Sequence, residues 1–192
     1  MDNAIIGIMG KKGSGKSFFV KKAVPKIKRI IVLDPLYEYS GTICESWTDV
    51  IEYLKEFKEN DFRAIYRPPD DEDVEGFLSI INTVNDYTLV AEEVDFFCSP
   101  NDIHPELLKL TKYGRHFKRS LLWLSRNPYE VNRFLTRQSD ALITFRQTEP
   151  RDLDYFKRYN FNKNLEGLEE YEMAFSGSRQ IITKIWGFDE IK

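Results

Sequence analysis

The residues with the clearest chemical role lie close to the N-terminus. Residues 10–17 read GKKGSGKS, which matches the spacing of a phosphate-binding loop, G-x-x-x-x-G-K-[ST]. Glycine allows positive φ angles, so the N–H groups of such a loop can turn inward around a phosphate. In this pattern Lys16 reaches the β- and γ-phosphates and the Ser17 hydroxyl binds Mg²⁺, which predicts a site for ATP with Mg²⁺. The expected contact residues are Gly10, Lys11, Lys12, Gly13, Ser14, Gly15, Lys16, Ser17 and Phe18.

A pair of acids, Glu92 and Glu93, follows the apolar segment 88–91. The first acid of such a pair normally supports Mg²⁺, and the second can polarise the water that attacks the γ-phosphate. Side chains of adjacent residues on an extended chain point to opposite sides, so two different tasks are reasonable. We therefore expect Glu92 to hold the metal, directly or through water, and Glu93 to be the catalytic base. The alternative is a solvated acidic turn.

The elements that must position these residues follow from the hydrophobic pattern. Apolar segments alternate with amphipathic ones, which predicts an α/β fold with a parallel sheet covered by helices. Such a sheet binds ligands beyond the carboxyl ends of its strands, where the loop and the acids would meet. The predicted strands are 4–9, 29–33, 62–66, 87–91, 121–124 and 141–145. The predicted helices are 16–28, 47–58, 70–84 and 104–113, and a C-terminal hairpin pairs 171–176 with 180–188.

The composition sets limits on the class of protein. The chain has 192 residues, 42% of them hydrophobic and 31% charged, as expected for one soluble globular domain. No apolar segment approaches the roughly 18 residues that a membrane-spanning helix needs. The net charge of −3 argues against a protein that coats nucleic acid by bulk charge. We expect Cys44 and Cys98 to be buried thiols, and His104 and His116 lack the neighbours of a zinc site.

Several short motifs resemble those of HerA/FtsK-type ATPases and occur in the same order. Residues 34–39, DPLYEY, resemble the family's D-P-x-x-E-Y motif, and residues 113–116, YGRH, resemble its GR(H/K) element. Residues 124–131, LSRNPYEV, resemble the turn that the family writes as TQRP or ARRPxEV. Residues 139–146, SDALITFR, match its sixth-strand pattern. Together with the phosphate-binding loop, the resemblance covers residues 4–158.

The resemblance implies a three-layer RecA-like P-loop core in which helices flank a mostly parallel central sheet. The whole chain, 1–192, would be one ATPase domain with its core at 4–158 and a C-terminal helix and β-hairpin at 159–192. The family works as a homo-oligomeric ring, here a hexamer or pentamer, that hydrolyses ATP at subunit interfaces and translocates double-stranded DNA. The short chain looks most like the genome-packaging ATPases of tailless icosahedral viruses with an internal membrane. That likeness implies capsid vertex proteins as partners and a location in the host cytoplasm or the virion.

The same resemblance implies roles for particular residues. Lys16 and Glu93 would be catalytic, and Ser125, Arg126 or Asn127 would lie where the family senses the γ-phosphate, often with a glutamine. A neighbouring subunit would supply an arginine finger, because positive charge stabilises the negative charge that spreads in the transition state. The candidates for this arginine are Arg115, Arg119, Arg137 and Arg146.

Basic and aromatic residues outside these motifs have open interpretations. Two basic clusters could contact DNA phosphates or could be solvated helix faces, and we expect the second on the active-site side because it precedes the fifth predicted strand. The clusters are Lys21, Lys22, Lys26, Lys28 and Arg29, and Lys109, Lys112, Arg115, Lys118 and Arg119. We expect Phe18 and Phe19 to pack the first helix on the sheet. Tyr37 and Tyr39 could stack on adenine, line a subunit interface or pack in the core.

Two other functions fit the phosphate-binding loop. Small-molecule nucleotide kinases share the length and the loop, but they carry an arginine-rich lid and an acceptor-binding segment that the sequence does not show. The paired acids favour water as the acceptor. The third possibility is an assembly or secretion partner that binds ATP for structure, against which Glu93 argues.

Overall fold

The six strands that were predicted before the C-terminal hairpin all lie in one central sheet of the computed structural model, which describes residues 3–57, 60–69, 73–177 and 183. The strands of this sheet, in chain order, are β1 (Ile5–Met9), β2 (Arg29–Leu33), β3 (Thr42–Cys44), β4 (Phe62–Tyr66), β5 (Tyr87–Ala91), β8 (Arg119–Ser125), β9 (Ala141–Phe145) and β10 (Met173–Gly177). A separate two-stranded sheet consists of β6 (Cys98–Ser99) and β7 (Asp102–Ile103).

The central sheet is parallel except at one edge. Its order is β10-β9-β1-β8-β5-β2-β4-β3, and only β10 is antiparallel to its neighbour, β9. Every residue of β1, β5 and β9 is buried, as expected when helices cover both faces of parallel strands. Strand β8 lies between β1 and β5, so the residues after β8 end up between the phosphate-binding loop and the paired acids.

Helices pack on both faces of the sheet and confirm the three-layer architecture. The α-helices are α1 (Lys16–Ala23), α2 (Trp47–Glu56), α3 (Asp73–Ile81), α4 (Pro105–Tyr113), α5 (Arg133–Gln138) and α6 (Pro150–Phe156). Phe19 and Val20 of α1 share one apolar core with Ile6 and Ile8 of β1. The other face of β1 contributes Ile5 and Met9 to a second core, in which apolar residues of α2 to α6 participate.

The helix bounds differ from the predictions for identifiable reasons. Helix α1 ends at Ala23 instead of Lys28, because Pro25 follows within a 3₁₀ turn and its ring cannot continue an α-helix. Helix α2 begins at Trp47 because Ser46 and Asp49 form a reciprocal capping box. The predicted start of α3 at residues 70–72 lies outside the described residues.

Several short elements were not predicted from the sequence. These are β3, the β6–β7 pair, α5 and α6, whose lengths are too short for a clear periodic pattern. Residues 159–172 form turns and bends, so the last α-helix with described bounds, α6, precedes the segment in which a C-terminal helix was expected. Strand β10 occupies the first strand of the predicted hairpin, and the second strand lies outside the described residues.

Two further observations concern the cysteines and the apolar character of the helices. Cys44 and Cys98 are free and buried, and burial raises the pKa of each thiol to about 11. Among the helices that the structure describes, none combines the length and the apolar character that crossing a membrane requires.

Candidate nucleotide-binding site

The phosphate-binding loop connects β1 to α1 at the carboxyl edge of the sheet. Gly13 and Gly15 have φ angles of +78° and +99°, which L side chains rarely adopt, so glycine is needed at both positions. The Gly10 N–H donates to the Ser125 carbonyl at 3.2 Å and so attaches the loop to the end of β8. Helix α1 begins directly at Lys16, and its unpaired N-terminal N–H groups add positive potential to the loop.

The Lys16 ammonium folds back over this loop. It donates to the carbonyl of Gly10 at 2.6 Å and to that of Lys11 at 3.3 Å, and the residue is only 6% exposed. Burial lowers the pKa of Lys16, whereas the charges of Glu93 and Glu92 oppose that shift. A buried ammonium held by carbonyl oxygens has a strong electrostatic preference for an anion. A phosphate of ATP would satisfy it.

Glu92 lies in the interior with one oxygen paired and the other without a partner. Its Oε1 accepts a hydrogen bond from the Tyr39 hydroxyl at 2.5 Å, and the residue is 0% exposed. Its Oε2 is buried and accepts no hydrogen bond from the described residues. Burial raises the pKa of Glu92 to about 7, although the Tyr39 hydrogen bond opposes the shift. Ser17 and Glu92 supply the hard oxygen ligands that Mg²⁺ prefers, and the unpaired Oε2 fits such a role.

Glu93 is turned toward the same site by an unusual backbone conformation. Its φ and ψ angles of 48° and 58° are left-handed, so the chain leaves the extended conformation there. The two carboxylates contact residues that follow the two neighbours of β5: Glu92 contacts Tyr39 after β2, and Glu93 contacts Arg126 after β8. A non-glycine residue in this region costs of order 1–3 kcal/mol and is typical of functional sites.

The Glu93 carboxylate is paired with Arg126. The Arg126 Nε donates to Glu93 Oε1 at 2.7 Å, across the gap between the ends of β8 and β5. Burial raises the pKa of Glu93, while the charges of Lys16 and Arg126 oppose that rise. The neighbouring Ser125 is fully buried, and its hydroxyl accepts from the Asn127 N–H at 3.1 Å. The predicted sensor region therefore lies beside the acid that we expect to activate water.

Solved structures of other proteins share this arrangement of strands over almost the whole chain. The genome packaging NTPase B204 from Sulfolobus turreted icosahedral virus 2, in complex with AMPPCP, matches with a TM-score of 0.73 at 20% identity, over 91% of this chain and 92% of B204. The chain has a RecA-like P-loop NTPase fold. The DNA-packaging ATPase B204 from Sulfolobus Turreted Icosahedral Virus matches with a TM-score of 0.67 at 20% identity, over 91% and 93% of the two chains.

A further solved structure matches with a lower TM-score. VirB4 of Thermoanaerobacter pseudethanolicus has a TM-score of 0.55 at 13% identity, over 87% of this chain and 82% of VirB4. No family model and no curated protein sequence matches the chain. The predicted resemblance to viral packaging ATPases is thus confirmed at the level of the fold.

The finger candidates of this P-loop NTPase lie in different environments. Arg119 is buried at the amino edge of the sheet, where its guanidinium donates to Val84 O and Asn82 O, both at 2.7 Å, and to Asn85 Oδ1 at 3.3 Å. All of these bonds hold the chain that follows α3, so Arg119 is not available to a neighbouring subunit. Arg119 is therefore not retained as a candidate for the arginine finger.

The other three candidates are exposed. Arg115 is also at the amino edge and forms an ion pair with Asp140. Arg137 is near the end of α5, and Arg146 follows β9 at the carboxyl edge, the edge that carries the phosphate-binding loop. A finger acts in the site of a neighbouring subunit, so either edge is compatible with that role.

The second basic cluster is not on the active-site side. Its residues belong to α4, to the 3₁₀ turn Gly114–Phe117 and to the start of β8, and the end of this segment joins β8 at its amino end. Because β8 is parallel to β1, that end is opposite the phosphate-binding loop. In the first cluster, Lys21 pairs with Glu38 at 3.1 Å, and Lys22 lies over the Phe18 ring at 4.6 Å from its centre.

The aromatic residues near the loop are only partly as predicted. Phe19 is buried and packs α1 on the sheet, but Phe18 is 66% exposed and does not. Tyr39 is buried against Glu92, which excludes stacking on adenine, and Tyr37 is exposed beneath the Arg67 guanidinium. Tyr171 was missed: its ring carbon would lie 3.1 Å from a Cβ at Gly15, so this exposed ring covers the loop backbone.

Gln147 is a second residue that the sequence did not single out. It is fully buried two residues after β9, its Nε2 donates to Thr144 Oγ1 at 2.9 Å, and its Oε1 has no partner among the described residues. Strand β9 is the neighbour of β1, which places this glutamine at the loop edge of the sheet. The γ-phosphate sensor was expected among Ser125, Arg126 and Asn127 after β8, and the strand order shows why a residue after β9 could also be near the site.

Proposed function

We propose that this chain is an ATPase that translocates double-stranded DNA and packages a viral genome into a preformed capsid. One observation carries the proposal. A complete phosphate-binding loop and the buried acid Glu93 occur together in a fold that matches packaging NTPases over 91% of the chain. A ring of copies at a capsid vertex, in the host cytoplasm or the virion, would be its working form.

The residues of the site divide the reaction between them. The loop N–H groups and Lys16 bind the triphosphate, and Ser17 and Glu92 would hold Mg²⁺, which would supply positive charge that neutralises the phosphates. Glu93 orients a water and takes its proton as the water oxygen attacks the γ-phosphorus and the bond to the β-γ bridging oxygen breaks. Arg126 contacts Glu93 and can also reach developing negative charge in the same cleft.

Hydrolysis at subunit interfaces requires an arginine from a neighbouring copy. Arg115, Arg137 and Arg146 are exposed and remain the candidates, whereas Arg119 is bonded within its own chain. A residue that acts in trans has a property that distinguishes it from one that acts in its own site. Its loss can be complemented by a copy that carries the intact residue.

The first prediction uses that property. Alanine at the finger position is expected to lower ATP turnover by about 10³-fold or more, because the finger supplies transition-state charge. Mixing such a variant with Lys16→Ala copies should restore part of the activity, since some interfaces then join an intact loop to an intact finger. Steady-state ATPase rates of the single variants and of mixtures test each candidate, and Arg126→Ala serves as the variant that acts within its own site.

The second prediction concerns DNA. Long double-stranded DNA is expected to raise the ATPase rate several-fold, and the effect should fall with salt because phosphate contacts release counterions. The rate should be measured with and without DNA, together with the oligomer mass by light scattering. Phosphorylation of AMP or a nucleoside, with no response to DNA, would instead identify a nucleotide kinase. A monomer with no turnover would favour a structural ATP-binding partner.

A further inference from the structure

An aromatic ring lies over the phosphate-binding loop on the side of the sheet where β10 is the edge strand. Tyr171 is two residues before β10, and its side chain is exposed. Its ring carbon Cδ1 would lie 3.1 Å from a Cβ at Gly15, and the Phe145 ring would lie 3.5 Å from the same point. Because Gly15 directly precedes α1, the Tyr171 ring is beside the N–H groups that are expected to bind phosphate.

The position of this ring is fixed by the residue that follows it. The Glu172 carboxylate accepts from Lys163 Nζ at 2.6 Å and from the Glu169 N–H at 2.9 Å. The Glu172 N–H donates to the Glu169 carbonyl at 3.1 Å. Strand β10 begins one residue later and pairs with the end of β9. The backbone at Tyr171 is thus already ordered, so a ligand that packs on the ring costs little further conformational freedom.

The strand order determines the direction in which a bound triphosphate would run. Glu93 and Arg126 follow β5 and β8, which lie on one side of β1, whereas β9 and β10 lie on the other side. The γ-phosphate must be next to the acid that activates water, so that end of the triphosphate points toward β8 and β5. The nucleoside is at the opposite end and extends toward β9 and β10, where the Tyr171 ring is exposed.

We propose that Tyr171 is the platform on which the base of the bound nucleotide stacks. Flat bases stack on aromatic rings, and this contact tolerates any base because every base has a π-face. The ring therefore adds affinity for the nucleoside with little discrimination between adenine and guanine. The inference rests on the proposed function, because it takes the γ-phosphate to lie beside Glu93.

The exposure of the Tyr171 ring favours base stacking over a purely structural role. Phe19 and Phe145, which pack α1 on the sheet, are both buried, and their ring centres are 6.0 Å apart. A ring that only packed against the loop would gain from similar burial, whereas Tyr171 is 62% exposed. Phe18 is also exposed next to the loop, but the Lys22 ammonium lies over one of its faces.

Calorimetric titration with two ligands separates the base from the phosphates, since inorganic tripolyphosphate carries only the phosphates of ATP. Tyr171→Ala is expected to weaken ATP binding roughly 5–150-fold, the range that base–aromatic stacking contributes. GTP binding should weaken by a similar factor. Tripolyphosphate binding should change by less than about threefold, because no phosphate contact is lost. Tyr171→Phe keeps the ring and should bind ATP as the unaltered chain does.

The matched control removes a tyrosine ring elsewhere. Tyr113→Ala, at the exposed end of α4 and at the amino edge of the sheet, should leave the affinities for ATP and tripolyphosphate unchanged. Equal ATP affinity in Tyr171→Ala and the unaltered chain would overturn base stacking. An equal loss of ATP and tripolyphosphate binding would also overturn it, because the ring would then only shape the loop. Either result leaves the proposed function intact. If the unaltered chain binds neither ligand, both proposals fail together.

Discussion

Replacing Lys16 with alanine is expected to abolish measurable ATP binding. The ammonium is buried over the phosphate-binding loop, where its carbonyl contacts place it beside any phosphate that the loop N–H groups bind. Removing one member of a buried charge pair costs about 3–5 kcal/mol, which corresponds to roughly a 10²–10⁴-fold loss of affinity. Equilibrium titration with a fluorescent ATP analogue measures the effect.

The Lys16 result needs a control for the loss of a positive charge as such. Lys28→Ala removes an exposed lysine that precedes β2, at the edge of the sheet opposite the loop, and should bind the analogue normally. Unchanged binding in Lys16→Ala would show that the nucleotide does not use this loop.

Replacing Glu93 with glutamine is expected to stop turnover while nucleotide binding persists. Positioned general bases contribute about 10²–10⁴-fold to rate, and an amide cannot take the proton of the attacking water. The amide oxygen can still accept from Arg126, so the contact between the ends of β8 and β5 should survive. Single-turnover hydrolysis measures the rate, and the fluorescent analogue measures binding.

Glu166→Gln makes the same chemical change at an exposed position outside the site and should hydrolyse ATP at the normal rate. Thermal unfolding of both variants separates a catalytic defect from a loss of stability. A Glu93→Gln variant that turns over normally would show that another group activates the water.

The parts of the site that the sequence predicted are the local ones. A buried strand, a glycine-rich loop and a helix occur consecutively, so the pattern of residues 4–23 alone specifies how Lys16 and Ser17 are presented. The acids after β5 were placed at the correct edge because the carboxyl ends of parallel strands lie together. Neither inference depended on which strands are neighbours in the sheet.

The parts that were missed depend on strand order and on close approach. The pairs Glu93–Arg126 and Glu92–Tyr39 each join residues that follow different strands, so their spacing in the chain carries no signal. Gly7 is another case: a Cβ there would lie 2.1 Å from the Trp123 ring, a contact that exists only because β1 and β8 are adjacent. The basic segment before β8 was assigned to the wrong edge, although the direction of that strand determines its place.

The pairing of Arg126 with Glu93 bears on the reactivity of the Glu93 carboxylate before a nucleotide is bound. A carboxylate that is held by a guanidinium is a weaker proton acceptor, because protonation would forfeit the attraction between the charges. A group that draws the guanidinium away, such as the γ-phosphate of a nucleotide that binds, would make Glu93 a stronger proton acceptor. This would happen when the phosphate bond to be cleaved is present. The point at which Glu93 becomes an effective base would then be set by one arginine that exchanges one anion for another.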